Sequence, residues 1–303
     1  MPNRILLTGA RGFVARHLVP ALQQAFPAAE VHDTHFDVTD AAAVQNAVRR
    51  ASPDACIHLA GITTVAAAGT DPEQAWRVNV LGTLNLARAV LATAPECRFL
   101  FASSSEVYGA SFKYGCKLDE AALLAPMNSY AATKAAADLA LGAMAYEGLR
   151  VVRLRLFNHT GPGQSKAFVV PAFARQIARI EAALQHPPMR VGSLDTARDL
   201  LDVRDVCAAY IACLRAHELP PGIVLNVGSG VARRIGDILQ ELLCLARLNV
   251  EVVVATERLR SSEITSAAGD ARKARDVLGW EPAIPWKQTL TDVLADWRFQ
   301  VAG

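Results

Sequence analysis

The chain has 303 residues, 52% of them hydrophobic, so it can bury a substantial core as one large domain or two joined lobes. Its net charge of +2 gives no general reason to expect a nucleic acid or an anionic membrane as a partner. The first apolar stretch, residues 5–7, is too short for a secretory signal, and no window approaches the roughly 18 apolar residues of a membrane span. The six cysteines form no CxxC pair or metal-like cluster, and their apolar surroundings favour buried, reduced thiols in a cytoplasmic protein without a bound metal.

The first half of the chain alternates short apolar runs with longer helical patterns. These predict strands at 4–8, 55–60, 98–103 and 150–157, and helices at 13–25, 73–94 and 129–146. Continuous apolar strands separated by helices are typical of a parallel sheet that is covered on both faces. The pattern therefore predicts an α/β protein with a doubly wound parallel sheet, the Rossmann fold.

After residue 157 the pattern becomes less regular. It predicts a loop at 158–164, a helix at 168–184, a helix at 203–216, and a strand at 224–227 that returns to the sheet. The remainder predicts a smaller C-terminal α/β lobe. We assign 1–160 and roughly 200–225 to an NAD(P)-binding domain, and 161–199 and 226–303 to a substrate-binding lobe.

A glycine-rich turn lies between the first predicted strand and the first predicted helix. Gly9 permits a tight turn, and Gly12 lets the backbone approach a diphosphate. The helix N-terminus that follows, at Phe13 and Val14, supplies N–H donors and the positive end of the helix dipole. A turn without a ligand is the alternative, but its place on the first strand of a βαβ series favours a dinucleotide site.

Two charged residues give opposite indications about the ribose of the cofactor. Asp33, at the expected end of strand two, can accept hydrogen bonds from a 2′-hydroxyl and repels a 2′-phosphate. Arg11, in the glycine turn, can instead pair with that phosphate. We expect NAD or NADP, with NAD favoured because a carboxylate opposing the phosphate is hard to offset. Asp37 can reach the adenine, whereas Asp40 fits a helix N-cap equally well.

Tyr130 and Lys134 are the residues that most directly indicate chemistry. Their spacing of four residues places both side chains on one face of the predicted helix. An ammonium beside a phenol favours the phenolate, which predicts a lowered Tyr130 pKa and proton exchange with a carbonyl or hydroxyl near neutral pH. With Ser104, Ser105 and Glu106 after the strand at 98–103, the pair indicates an oxidoreductase site.

Ordered motifs along the whole chain resemble the extended short-chain dehydrogenase/reductase family, the NAD-dependent epimerases and dehydratases that modify nucleotide sugars. The motifs are TGARGFV at 8–14, HLAG at 58–61, NVLGTLNL at 79–86, SSSEVYG at 103–109, RDLLDVRD at 198–205, NVGSG at 226–230 and LGW at 278–280. The segment FNHTGPGQ at 157–164 is similar to the GDP-sugar branch of this family, and the stretches at 175–180 and 258–263 are similar to its reductases.

The resemblance implies reduction of the C4 ketone of GDP-4-dehydro-6-deoxy-D-mannose to GDP-D-rhamnose with NAD(P)H. It implies that Tyr130 protonates the developing alkoxide, that Ser104 polarises the carbonyl, and that Lys134 grips the nicotinamide ribose. Glu106 leaves an alternative open, since the carboxylate at this position removes the C5 proton in GDP-mannose 4,6-dehydratases and only anchors sugar hydroxyls in some reductases. A 4-epimerase explains the segment at 157–164 less well.

The remaining predicted contacts follow from the matched motifs. Arg198 and Arg260 are expected to clamp the substrate diphosphate, because a guanidinium fork matches phosphate oxygens. Relatives commonly pair two long helices, so the helices at 73–94 and 129–147 predict a homodimer. The other predicted cofactor contacts are Leu59, Ala60, Gly61 and Asn79, and the other predicted substrate contacts are Ser105, Asn158, Gln164, Val169, Arg190, Asn226 and Glu263.

Overall fold

In the computed structural model, which describes residues 1–33, 35–115, 117–255 and 264–303, strands and helices alternate along most of the chain. The described strands are β1 (Arg4–Thr8), β2 (Glu30–His32), β3 (Ala55–His58), β4 (Arg98–Ser104), β5 (Val151–Leu156), β6 (Asn158–Thr160), β7 (Met189–Val191), β8 (Ala197–Asp202), β9 (Ile223–Val227), β10 (Ala232–Arg234), β11 (Val252–Val254) and β12 (Ser266–Ala267). The described α-helices are α1 (Phe13–Ala25), α2 (Ala41–Ala51), α3 (Val65–Thr70), α4 (Pro72–Trp76), α5 (Thr83–Thr93), α6 (Ser129–Met144), α7 (Val169–Glu181), α8 (Val203–Arg215), α9 (Ile235–Ala246), α10 (Arg272–Leu278) and α11 (Trp286–Ala302).

Six parallel strands form the main sheet in the order β2-β1-β3-β4-β5-β9. Apolar residues of α1 and α8 cover one face, and those of α2, α5 and α6 cover the other. The predicted doubly wound α/β fold is therefore confirmed. The chain adds β2 on one side of β1 and all later strands on the other, so the strand order reverses between β1 and β3. In such sheets the ligand crevice opens beyond the carboxyl ends of the strands at this reversal.

A smaller sheet is built mainly from the second half of the chain. β8 pairs with β10 and β12, and β6 pairs with β8. A separate apolar cluster packs α7, α9 and α11 together. Because β8 runs directly into α8, which packs on α1, the smaller sheet is held beside the carboxyl ends of the main sheet.

Several elements differ from the sequence prediction. The strand predicted at 55–60 ends at His58, because 59–61 turn against the end of β1. The predicted loop at 158–164 begins with β6, whose pairing with β8 is not encoded locally. The predicted helix at 73–94 contains a π-helical turn, Arg77–Gly82, that the apolar pattern did not reveal. The polar pair Arg198–Asp199 interrupts the apolar pattern of β8, so that strand was not predicted.

The described cysteines follow their prediction with one exception, and Cys116 lies outside the described residues. Cys56, Cys97, Cys207 and Cys213 are buried and unpaired, whereas Cys244 is exposed on α9. The prediction is wrong for Cys244 because the buried side of α9 is formed by other residues of that helix, among them its leucines at 239, 242 and 243. None of the described helices is long and apolar enough to cross a membrane.

Candidate active site

The glycine turn lies at the end of β1, in contact with the loop that follows β3. Gly9 has a φ of +73°, and a Cβ on it would lie 2.7 Å from Ala60 N, so this position requires glycine. Gly12 is the N-cap of α1, and among the described residues no side chain caps this helix. The first N–H groups, on Phe13 and Val14, have no intrahelical acceptor and form a donor set that fits a diphosphate.

The loop after β3 is fixed by a buried amide. Asn79, which lies in the π-helical turn, accepts from Ile62 N at 2.8 Å through Oδ1 and donates to Ile62 O at 3.1 Å through Nδ2. A Cβ on Gly61 would approach Asn79 Oδ1 to 2.9 Å, so the glycine permits this contact. The predicted cofactor residues Leu59 and Ala60 thereby lie next to the glycine turn, where Leu59 N donates to the backbone of β1 at 3.3 Å.

The residues expected around the adenosine lie on the rim of the crevice. Arg11 and Asp33 are both exposed. The Asp37 carboxylate accepts from Thr39 N and Thr39 Oγ1 at 2.8 Å each, and these hydrogen bonds lower its pKa. Asp40 caps α2 by accepting from two backbone N–H groups at 2.9 and 3.0 Å, which confirms the capping alternative.

Tyr130 lies in the first turn of α6, beside the carboxyl end of β4. Asn128 caps this helix by accepting from the N–H of Ala131 at 2.8 Å. The Tyr130 phenol is hydrogen-bonded to Ser104, the last residue of β4. Burial raises the pKa of Tyr130 to about 12; the Ser104 hydrogen bond opposes this rise and the Glu106 charge adds to it. The phenol is therefore protonated at neutral pH.

Lys134 is buried one helical turn beyond Tyr130. Its Nζ donates to Ala102 O at 2.9 Å and lies 5.1 Å from the centroid of the Phe101 ring. Burial lowers the pKa of Lys134 to about 8. The expected lowering of the Tyr130 pKa by this ammonium is wrong, since burial dominates and Lys134 is not among the groups that shift the phenol. The spacing placed both residues on one helix face but did not reveal that Nζ is held by β4.

Glu106 follows β4, and its charge acts on both the Tyr130 phenol and the Arg198 guanidinium of the smaller sheet. Its N–H donates to Ser104 Oγ at 3.2 Å, and its Oε2 is 3.5 Å from Asn128 Nδ2. The Glu106 charge raises the pKa of Tyr130 and opposes the lowering of the Arg198 pKa by burial. Arg198, in β8, also donates to the carbonyls of Ala197 at 2.8 Å and Ile264 at 3.3 Å. The site therefore combines residues of both sheets.

Asp199 anchors the strand that carries Arg198, and the sequence analysis did not single it out. Its fully buried carboxylate accepts from Ser229 N at 2.8 Å, Ser229 Oγ at 2.5 Å, Gly230 N at 2.8 Å and Gly269 N at 3.2 Å. Burial raises the pKa of Asp199, and these four hydrogen bonds oppose the rise. Its place beside Arg198 in a matched motif was the signal that could have identified it.

Two of the other predicted substrate residues make buried hydrogen bonds within the protein itself. The Gln164 amide is buried, donates to His159 O at 2.9 Å and accepts from Thr160 Oγ1 at 2.7 Å. Asn226 is fully buried, and its side chain accepts from Tyr108 OH at 2.6 Å and donates to the backbone carbonyls of residues 118 and 270. The structure thus gives both amides structural roles, and the geometry does not support a nucleotide contact by Asn226.

The remaining predicted substrate residues have different surroundings. Asn158 begins β6 and Val169 begins α7, and both are exposed. Arg190 is exposed on β7, where its backbone N–H and C=O both bind the Gln176 amide. Ser105 is buried behind Glu106. Two further predicted contacts, Arg260 and Glu263, lie outside the described residues.

The geometry defines a class of protein. A glycine turn lies at the strand-order reversal of a doubly wound sheet, and a protonated tyrosine, a serine and a lysine lie beside it, which is the site of a nicotinamide-dependent oxidoreductase. Within the described residues, no cluster of three His, Cys, Asp or Glu side chains is placed to hold a metal ion.

Comparison with known proteins gives the same class. The sequence profile of the GDP-mannose 4,6 dehydratase family matches residues 20–293. The GDP-6-deoxy-D-mannose reductase of Pseudomonas aeruginosa is 38% identical over 304 residues, which cover 99% of each chain. The structure of RMD from Pseudomonas aeruginosa complexed with NADPH has a TM-score of 0.90 and 36% identity, covering 98% of this chain and 99% of that one.

A further solved structure, MoeE5 in complex with UDP-glucose and NAD, has a TM-score of 0.86 and 26% identity, covering 99% of this chain and 100% of that one. The chain therefore belongs to the GDP-mannose 4,6-dehydratase family, within the extended short-chain dehydrogenases/reductases. The resemblance drawn from the motifs is confirmed, and with it the assignment to NAD(P)-dependent enzymes.

Proposed function

We propose that this protein reduces the C4 ketone of GDP-4-dehydro-6-deoxy-D-mannose to GDP-D-rhamnose with NAD(P)H. The observation that carries the proposal is the partly buried, protonated phenol of Tyr130, hydrogen-bonded to Ser104 beside the dinucleotide turn. A ketone reduction needs a proton donor at this place, and a phenol with a pKa of about 12 is in its acid form at neutral pH. The full-length similarity to a GDP-6-deoxy-D-mannose reductase supports the choice of substrate.

Each step is assigned to side chains of the site. When bound in this crevice, NAD(P)H would supply a hydride to C4 of the sugar. Ser104 Oγ accepts from Glu106 N, so its own hydroxyl hydrogen can be donated to the C4 oxygen. Tyr130 transfers its proton to the same oxygen as negative charge develops there. Lys134, protonated below a pH of about 8, holds the nicotinamide ribose, and Arg198 pairs with the substrate diphosphate.

The direct test supplies the purified protein with GDP-4-dehydro-6-deoxy-D-mannose and either NADH or NADPH. We expect loss of the reduced-nicotinamide absorbance and one equivalent of GDP-D-rhamnose per cofactor oxidised, identified by NMR. GDP-mannose serves as the control substrate, because it has no ketone to reduce. If neither cofactor is oxidised in the presence of the keto sugar, the proposal fails.

We propose NAD as the preferred cofactor. The exposed Asp33 carboxylate at the end of β2 binds a ribose 2′-hydroxyl and repels a 2′-phosphate, although Arg11 favours the phosphate. The relatives differ here, with RMD complexed with NADPH and MoeE5 with NAD. The ratio of kcat/KM for NADH and NADPH tests the proposal, and Asp33→Asn should shift that ratio toward NADPH. A parent enzyme that prefers NADPH and loses this preference in Arg11→Ala contradicts it.

A 4,6-dehydratase is the second candidate, and the position of Glu106 beside Tyr130 favours it. This carboxylate could remove the C5 proton of a sugar oxidised at C4. Incubation with GDP-mannose and NAD or NADP, without a hydride source, would then yield the 4-keto-6-deoxy product, and Glu106→Gln would abolish it. Unchanged GDP-mannose excludes the dehydratase and leaves Glu106 as a group that anchors sugar hydroxyls.

We further propose a cytoplasmic homodimer whose subunits bind the cofactor with 1–160 and roughly 200–225, and the sugar nucleotide mainly with 161–199 and 226–303. The neighbouring helical segments 72–93 and 129–147 expose the apolar side chains of Trp76, Leu81 and Leu139. Exposed apolar side chains on adjoining elements are typical of a protein interface. Asn158 and Val169 are proposed to line the sugar-nucleotide side of the cleft.

A further inference from the structure

His58, the last residue of β3, is a buried histidine that the proposed reaction does not use. Its side chain is 1% exposed, and its ring lies beside those of Phe99 and Phe101 on β4, with both centroids 6.1 Å away. Nδ1 is 2.7 Å from Thr8 Oγ1, and Nε2 is 2.9 Å from Thr83 Oγ1. Both ring nitrogens are therefore hydrogen-bonded in an otherwise apolar part of the protein.

The hydrogen-bond partners determine which nitrogen carries the proton. Thr83 Oγ1 donates its single hydrogen to Asn79 O at 2.7 Å, so it can only accept from His58, whose Nε2 is the donor. Burial and the charge of Lys134 lower the His58 pKa to about 3, so the ring is neutral and Nδ1 accepts. Thr8 then donates to Nδ1, while its oxygen accepts from Ala60 N at 3.2 Å.

This chain of hydrogen bonds joins both cofactor turns to the catalytic helix. Thr8 immediately precedes Gly9, and Ala60 belongs to the turn after β3. Asn79 continues the chain, since its Nδ2 donates to Thr133 Oγ1 at 3.0 Å. Thr133 in turn donates to Tyr130 O at 2.8 Å. His58 links Thr8, next to the glycine turn, to Thr83 on α5, and the hydrogen bond from Thr83 to Asn79 O continues toward α6.

We propose that His58 is a positioning residue that sets the spacing between the glycine turn and the turn after β3, and thereby the shape of the dinucleotide crevice. Gly9 has no room for a Cβ against Ala60 N, so a small displacement of either turn changes the surface presented to the diphosphate. A neutral imidazole suits this place because it accepts on one side and donates on the other. The inference rests on the proposed function only in assuming a nicotinamide dinucleotide in this crevice.

Two substitutions separate the two hydrogen bonds. Asparagine carries its side-chain oxygen near the position of Nδ1, so His58→Asn keeps the acceptor for Thr8 and loses the donor for Thr83. Glutamine carries its amide nitrogen near Nε2, so His58→Gln keeps the donor and loses the acceptor. His58→Leu removes both. Thr93→Val is the control. Like Thr83, Thr93 lies on α5, and its hydroxyl donates to the carbonyl of the residue four positions earlier, Ala89 O, at 2.7 Å, but it contacts neither turn.

The readout is the Kd for NADH, measured by fluorescence or calorimetry without any sugar nucleotide, together with the thermal midpoint of each variant. We expect the Kd to rise about tenfold in His58→Gln and His58→Leu, to rise least in His58→Asn, and to stay unchanged in Thr93→Val. If His58 only fills space in the core, every His58 variant should have a lower thermal midpoint while the Kd of the folded protein for NADH stays unchanged. That result would overturn the inference.

The controls separate this inference from the proposed function. A parent protein that binds NADH but does not reduce the keto sugar contradicts the proposed function and leaves the His58 test intact. A parent that reduces the sugar while His58→Asn and His58→Gln bind NADH equally tightly contradicts the inference alone. If His58→Leu does not fold, the asparagine and glutamine variants still give the comparison.

Discussion

At Tyr130, burial outweighs the nearby groups that stabilise a phenolate, so the side chain stays a phenol across the physiological pH range. That state suits the reductive direction, in which the enzyme donates a proton to the C4 oxygen. The opposite direction, oxidation of an alcohol, requires a base at this position. Because both directions pass through the same transition state, this pKa marks Tyr130 as the group that exchanges the proton and does not select the direction.

Replacement of Tyr130 by Phe tests this role. The substitution removes the hydroxyl and keeps the ring, so we expect kcat for the keto sugar to fall about 10²- to 10⁴-fold while the Kd for NADH stays within about twofold. Steady-state reduction and NADH titration give the two quantities. Turnover of Tyr130→Phe at the parent rate would show that another group donates the proton.

Lys134 predicts how the rate depends on pH. Its pKa of about 8 lies within the working range, whereas that of Tyr130, at about 12, lies above it. As pH rises through about 8, the free enzyme loses the ammonium that holds the ribose, so kcat/KM should fall above that pH. In Lys134→Arg the charge persists, and the fall near pH 8 should disappear even if the rate is lower.

The measurement is kcat/KM for the reduced cofactor between about pH 6 and pH 10, because this parameter reports ionisations of the free enzyme. A stability profile recorded in parallel shows whether the protein stays folded at the alkaline end. A decline that persists unchanged in Lys134→Arg would assign the ionisation to a group other than Lys134.

At the scale of elements, the position of α6 depends on an ion-pair cluster with β5. Asp138, on α6, is fully buried and lies 3.0 Å from Arg153 Nη1 and 3.2 Å from Arg155 Nη2. Ser103, near the end of β4, donates to the same carboxylate at 2.6 Å. Ion pairs to β5 and a hydrogen bond to β4 therefore hold the helix that carries Tyr130 and Lys134 against these two strands.

Removal of this charge should be costly. In Asp138→Asn the buried guanidinium of Arg155 and the partly buried one of Arg153 lose their counter-ion, and we expect the free energy of unfolding to fall by about 3–5 kcal/mol. Asp195→Asn is the matched control, because Asp195 pairs with Arg234 on the surface, where solvent screens the pair, so this change should leave the free energy of unfolding nearly unchanged. Urea unfolding measures both. Equal, small losses in the two variants would show that the cluster contributes little to stability.

The same elements show why the sequence predicted some features and missed others. The main sheet and the turn at Gly9 were predictable because apolar periodicity and glycine spacing are local signals. His58 and Asp199 were missed because their partners lie 50 and 30 residues away, at Thr8 and Ser229. The pKa of Tyr130 was predicted with the wrong sign because helical spacing determines neither the desolvation of the phenol, which dominates its pKa, nor the acceptor of the Lys134 ammonium.

At the scale of the whole molecule, residues of both sheets form the site, and a separate exposed apolar surface lies on the helices of the main sheet. Arg198, on the strand that Asp199 anchors in the smaller sheet, interacts electrostatically with Glu106, which follows β4 of the main sheet, so the proposed diphosphate contact and the catalytic groups come from different sheets. On the main sheet α6 packs against the π-helical turn, and Leu139 and Leu81 on these two elements are 59% and 54% exposed. We assign this surface to the proposed dimer interface.

Charge placed on this surface should dissociate the dimer. Leu139→Arg combined with Leu81→Arg sets like charges against each other across a two-fold interface, so sedimentation at micromolar concentration should change from dimer to monomer. Leu184→Arg is the matched control, since Leu184 is also 54% exposed but lies beyond α7. The catalytic groups come from one chain, so the monomer should keep its Kd for NADH. A parent protein that sediments as a monomer, or a double variant that remains dimeric, would contradict this assignment.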